Sequence, residues 1–149
     1  MNTIYDLANW FLFKSSMSHK KLQKLCYYAV AWHYALYDSP LVKNDEFEAW
    51  IHGPVSPSLW HEYKDYVWGS IPQSKTQPDL GNDMEEYLEI VLNTYDEFSG
   101  HQLESLTHDE LPWIEARRGL EDYQASKNKI NPMIMKQFYR SIYDTSQND

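Results

Sequence analysis

The chain has 149 residues, 42% hydrophobic and 15% aromatic, with six Trp, twelve Tyr and a net charge of −9. A chain this rich in aromatics folds around a core, which excludes intrinsic disorder, and its length suits one domain. No stretch approaches the roughly 18 apolar residues a membrane span needs.

The spacing of Ile4, Leu7, Ala8 and Phe11, with Thr3 and Asp6 placed to cap, predicts a first helix. Ser18 caps a longer second helix with Leu22, Leu25, Cys26, Ala29, His33 and Leu36 on one stripe. Tyr27, Ala31 and Tyr34 make a second apolar face, so this helix is expected at the centre. Asp38-Ser39-Pro40 ends it. Phe47 to His52 reads as a short strand stopped by Gly53-Pro54. Ser56 and Pro57 then open a helix with Leu59, Trp60, Tyr63 and Tyr66 or Val67 on one face. Residues 69–82 carry every turn signal of a loop.

Asn82 and Glu85 start the clearest helix, with Met84, Tyr87, Leu88, Val91, Leu92, Tyr95 and Phe98. Next comes a crowded corner, His101 to Arg117. Ser99 with Gln102, and Thr107 with Glu110, both fit the capping box, in which hydroxyl and N3 side chain satisfy each other's backbone N–H. Asn131-Pro132 opens a last helix carrying Ile134 or Met135, Phe138 and Ile142, and Lys129-Ile130 is a candidate second strand. The pattern predicts a mainly α (α+β) fold: a single compact domain over 1–144 with about seven helices and a small two- or three-stranded antiparallel sheet. Residues 145–149 are expected to fray.

Charge is uneven. Residues 1–78 balance, whereas residues 79–122 carry thirteen acids against Arg117 and Arg118, a local net of −11. Such a field disfavours nucleic acid and steers a basic partner, or simply keeps a solvated helix face soluble. His19, Lys20, Lys21 and Lys24 put positive charge at the start of the second helix, where the dipole disfavours it. Lys20, Lys21 and Lys24 are therefore either an anion-binding turn or partners for the acidic third. The first two helices only loosely resemble a helix-turn-helix.

No catalytic constellation stands out. Cys26 lies mid-helix on an apolar face, no Gly-x-Ser-x-Gly elbow exists, and glycine is too scarce for phosphate loops. The six histidines have poor metal spacing, and His33 reads as a hydrogen-bonded core residue. No enzyme activity, metal, cofactor or small-molecule substrate is expected. The start Met1-Asn2-Thr3-Ile4-Tyr5-Asp6 carries no signal pattern, and the lone Cys26 forms no internal disulfide, so a cytoplasmic location is expected. Six tryptophans, Trp10, Trp32, Trp50, Trp60, Trp68 and Trp113, exceed one small core, and about four are expected inside. Candidate partner-binding residues are Trp113 and Arg117, spaced to stack on one helix face, with His108, Trp50, His52 and Trp60.

Three blocks carry a resemblance. Leu22-Gln23-Lys24-Leu25-Cys26-Tyr27-Tyr28-Ala29-Val30-Ala31-Trp32-His33, then Phe47-Glu48-Ala49-Trp50-Ile51-His52-Gly53-Pro54-Val55-Ser56-Pro57, then Ser99-Gly100 through Leu106-Thr107-His108, Pro112-Trp113 and Ala116-Arg117 stand in order over nearly the whole chain. Together they resemble the Panacea antitoxin domain, also described as the SocA-like or GepA (phage-associated) family. Cys26 and Val30 depart from the larger apolar residue and the Gln expected there. The resemblance implies a mostly helical domain that neutralises a toxin protein, encoded by a neighbouring gene, by direct binding. A DNA-binding transcriptional regulator and a proteolytic adaptor of the same fold are the alternatives.

Overall fold

The computed structural model describes residues 2–148. In chain order these form α1 (Ile4–Lys14), β1 (Met17–Ser18), α2 (His19–Tyr37), β2 (Glu48–Trp50), β3 (Gly53–Val55) and α3 (Pro57–Tyr63). A 3-10 turn (Lys64–Tyr66), β4 (Ser70–Ile71), α4 (Asn82–Tyr95), α5 (Gly100–His108), α6 (Leu111–Ala116) and α7 (Pro132–Asn148) follow. The seven helices and two small antiparallel sheets match the expected α+β class.

α2 is the central helix, as its two apolar faces require. Leu22, Leu25, Cys26 and Ala29 on one side, and Tyr27 and Ala31 on the other, are all buried. It packs most extensively against α7 and also meets α5, α1, α4 and β3. The helix stops where Asp38 turns left-handed at φ 52°. Thr3 with Asp6 and Ser99 with Gln102 form complete capping boxes at α1 and α5. Ser56 caps α3, its hydroxyl accepting from the Leu59 amide. These short polar side chains satisfy amide groups that the first helical turn leaves unpaired.

Several expectations are corrected. Thr107 and Glu110 do not make a capping box: Thr107 lies inside α5 and its hydroxyl donates to the Glu104 carbonyl at 2.7 Å. Glu110 occupies the cap position of α6 with its backbone, while its carboxylate turns into the core. The strand expected over Phe47 to His52 is Glu48–Trp50, Ile51 and His52 make the turn, and Gly53-Pro54, read as its stop, begin a return strand, pairing Trp50↔Gly53, Ala49↔Pro54 and Glu48↔Val55. Within 69–82, Ser70 and Ile71 pair with Ser18 and Met17, two strands too short to show periodicity. Lys129 forms a single antiparallel bridge to Glu48, extending the hairpin by one edge.

On α3 the packed face ends at Tyr63, for Tyr66 and Val67 are exposed. On α7 the fully buried pair is Met135 and Tyr139, and Ile142 points outward. α7 is helical as far as Asn148, so the tail expected to fray from Thr145 continues this helix; Asp149 lies outside the described residues. Of the tryptophans, Trp10 and Trp113 are buried, Trp32, Trp50 and Trp60 are half-buried, and Trp68 is 98% exposed.

Candidate functional site

Apart from Lys21, the residues singled out from the sequence converge on one object, the β2–β3 hairpin. They divide into braces beneath it and side chains on its outer face.

Arg117, at the C-cap of α6, is only 4% exposed. One of its terminal nitrogens donates to the Ala49 carbonyl at 3.0 Å, and the other to the carbonyls of Glu121 at 3.0 Å and Gln124 at 2.5 Å. Its charge is therefore met by carbonyl dipoles on both the hairpin and the 121–124 turn, a span that the planar fork of guanidinium allows. The guanidinium carbon sits 4.9 Å from the centre of the Trp113 ring, the expected i, i+4 stack. Trp113 is buried too, and its indole N–H donates to the Trp50 carbonyl at 2.8 Å. His108 stacks on the same indole at 3.9 Å. Burial lowers the His108 pKa, and its Nε2 is enclosed with no hydrogen-bond partner among the described residues. Trp113 and Arg117 thus hold the hairpin from within.

The basic start of α2 faces the same hairpin. Lys24 is buried and donates to the Pro54 carbonyl at 3.1 Å, and burial lowers its pKa to about 7. Lys20 pairs with Glu104 at 2.7 Å, and His52 approaches the same carboxylate at 3.3 Å. Burial alone raises the Glu104 carboxyl, but its bonds to Lys20 and His52 outweigh this and leave it below its ordinary value. Lys21 donates to the Asp96 carbonyl at 2.7 Å, closing the end of α4. Of the two readings of Lys20, Lys21 and Lys24, these contacts favour partners for the acidic third over an anion-binding turn. Two of the three are tied to the acidic third and one is inside.

Two roles escaped the sequence reading. Gln23, buried on α2, donates to the Ser56 carbonyl at 3.1 Å and accepts from the Ser56 amide at 2.8 Å, pinning the end of the hairpin. A lone glutamine between Leu22 and Leu25 on an apolar stripe was its signal. Glu110 accepts from the Tyr28 hydroxyl at 2.7 Å and the Tyr139 hydroxyl at 2.9 Å, joining α2 to α7 beneath the corner. Since Tyr139 spends its proton on Glu110, Tyr27 is the donor in the 3.1 Å bond between the two phenols.

The outer face is aromatic. Trp50 and Trp60 lie 5.8 Å apart, tilted by 55°, with Lys64 over the Trp60 ring at 5.6 Å. The His52 side chain is 70% exposed. A shallow cavity of about 380 Å³ opens beside them, lined by Trp50, Ile51, His52, Ala125, Ser126 and Lys127. Cys26 is buried, and burial raises its thiol well above the ordinary value, which disfavours the reactive thiolate. Among the described residues, no three His, Cys, Asp or Glu side chains gather as metal ligands would. No helix among them is long and apolar enough to cross a membrane. His33 donates from Nδ1 to the Ser39 carbonyl at 2.7 Å, half-buried rather than in the core.

A family model described as "Antitoxin SocA-like, Panacea domain" matches residues 22–114. The match begins in α2, spans both hairpin strands and ends within α6. No curated protein and no solved structure matches the chain.

Proposed function

The chain belongs to the SocA-like antitoxin family with a Panacea domain, and from that premise we propose that it neutralises a partner toxin protein by binding it directly at the outer face of the β2–β3 hairpin. The observation that carries this reading is the Trp50–Trp60 pair, half-buried on a hairpin whose backbone is fixed from behind by Arg117, Trp113, Lys24 and Gln23. Rigid aromatic anchors with polar neighbours are the usual centre of a protein interface, because they lose little side-chain freedom on binding. The partner is a protein encoded by a neighbouring gene, and the complex forms in the cytoplasm. The chain itself performs no catalysis. A DNA-binding role finds no support in the lysines of α2, which are engaged within the fold.

Co-expression with the product of the neighbouring gene tests the proposal. That product should be lethal alone, harmless with this chain, and recovered as a complex. Trp50→Ala with Trp60→Ala should weaken the complex by tenfold or more, about 1.4 kcal/mol. A neighbour that is harmless alone, or that stays lethal without ever co-purifying, rules the reading out.

A further inference from the structure

A second surface lies at the opposite end of α2, roughly 20 Å along the helix from Lys24 at about 1.5 Å per residue. There α2 and α4 flank an open groove of about 410 Å³ lined by His33, Tyr37, Asp83, Met84, Glu86, Tyr87 and Ile90. Three of these are rings set against one another: His33 and Tyr37 at 4.8 Å, His33 and Tyr87 at 5.6 Å, and Tyr37 and Tyr87 at 5.8 Å with planes 75° apart. Tyr87 is anchored, its hydroxyl donating to the Ala29 carbonyl. The His33 Nδ1–H is spent on the Ser39 carbonyl, which fixes the orientation of its ring.

Two carboxylates, Asp83 and Glu86, complete the wall. Neither has an ion-pair partner among the described residues, whereas Glu89 on the same helix pairs with Lys14 and Glu85 accepts from Gln77. Acids in a first helical turn offset the helix dipole, which accounts for Asp83. It does not account for Tyr37 left 57% exposed and Ile90 66% exposed beside them. Ring faces and carboxylates share one kind of ligand, a cation with an apolar stem.

We propose that this groove seats the side chain of a Lys or Arg carried on a basic segment of the partner protein. The proposal builds on the protein-binding reading above and adds a chemistry for the partner. Charge complementarity selects that occupant: the α4 wall of the groove belongs to the acidic third, and its Asp83 and Glu86 have no ion-pair partner among the described residues to offset their pull on a basic segment. The ring cluster takes the stem and charge of one side chain, and Asp83 and Glu86 pair with its head.

The probe is a fluorescein-labelled peptide, Gly-Ser-Arg-Gly-Arg-Gly-Lys-Ser-Gly, followed by anisotropy with the full chain at low and moderate salt. A version with norleucine at the three basic positions is the control. The basic peptide should bind and the norleucine peptide should not. Tyr37→Ala should weaken binding about tenfold. Asp83→Asn with Glu86→Gln should weaken it and flatten its salt dependence. Glu97→Gln with Asp109→Asn removes the same charge elsewhere in the acidic third and should change binding by less than about twofold, as screened distant charges do. Equal binding by wild type and Tyr37→Ala, or equal losses from the two charge pairs, overturns the groove and leaves only a diffuse acidic field. The hairpin is read separately by co-purification, so either surface can fail without the other.

Discussion

Replacing Glu110 by Gln isolates the one carboxyl that joins α6 to α2 and α7. Burial pushes its pKa from 4.5 up to about 7, partly offset by the hydroxyls of Tyr28 and Tyr139, which donate to it and favour the ionised form. A folded-state value raised above the unfolded one means that the native chain holds this proton more tightly. Its contribution to stability is therefore complete below about pH 4.5 and lost as pH rises through about 7. The interval from 4.5 to about 7, at about 1.4 kcal/mol per pH unit, amounts to about 3 kcal/mol.

The amide of Gln keeps an acceptor for the two phenols and cannot ionise. Urea denaturation of both proteins from pH 5 to pH 8 gives the difference in unfolding free energy, wild type minus Glu110→Gln, and this should fall by about 2.5 kcal/mol across the series, the rest of the interval lying below pH 5. The difference matters more than either curve, because other buried groups slope the opposite way. Burial lowers His19 to about 4 and Lys24 to about 7, so each adds stability as pH rises towards its ordinary value. Both are present in the two proteins and cancel. A difference constant to within about 0.5 kcal/mol would refute the reasoning and place Glu110 among ordinary solvated carboxylates.

Gly53→Ala should lower the melting temperature by about 5–15 °C, because φ is +106° and a Cβ there meets Lys24 Cε at 2.7 Å and Thr107 Oγ1 at 3.0 Å. A melting curve unchanged by this substitution contradicts the close packing. Arg117→Lys should cost about 2–3 kcal/mol and speed hydrogen exchange over residues 48–55, since one ammonium cannot reach both the Ala49 carbonyl and the 121–124 turn; a Lys variant as stable as wild type counts against the clamp. Trp68→Ser should alter stability by no more than about 0.5 kcal/mol, while Leu103→Ala, fully buried on α5, should cost about 2–5 kcal/mol. Chemical denaturation of the pair side by side checks the contrast.

The helices were legible because their signals are local. A hydroxyl three residues ahead of a carboxylate or amide, as at Thr3 and Ser99, needs only one turn of chain to be satisfied. The same pattern at Thr107 misled, since Glu110 had a stronger claim on its carboxylate from Tyr28 and Tyr139, 82 and 29 residues away. Distance along the chain also hid the pairing of Met17 with Ile71. Among the site residues, the spacing of Trp113 and Arg117 foretold their stack, yet which side of the stack faces solvent depended on carbonyls of Ala49 and Trp50. Lysines read as surface charge for the same reason: only the tertiary packing shows Lys24 closed over by Gly53 and Pro54. Such residues are individually ambiguous, and burial decides them.

The Arg117 clamp also sets a schedule. Ala49 is held at its carbonyl by a residue 68 positions later, and at its amide by the still later Asn128 carbonyl. A ribosome adding about 5–20 residues per second needs roughly 3–14 s to make the 68 residues between hairpin and clamp. Throughout that interval the hairpin has Lys24 and Gln23 of α2 to brace it but neither the Arg117 clamp nor the Asn128 contact, and a two-stranded ribbon is marginal in water. Its full set of hydrogen bonds thus closes only once Asn128 has been made, so a nascent chain cut short before that point holds the hairpin by its earlier braces alone.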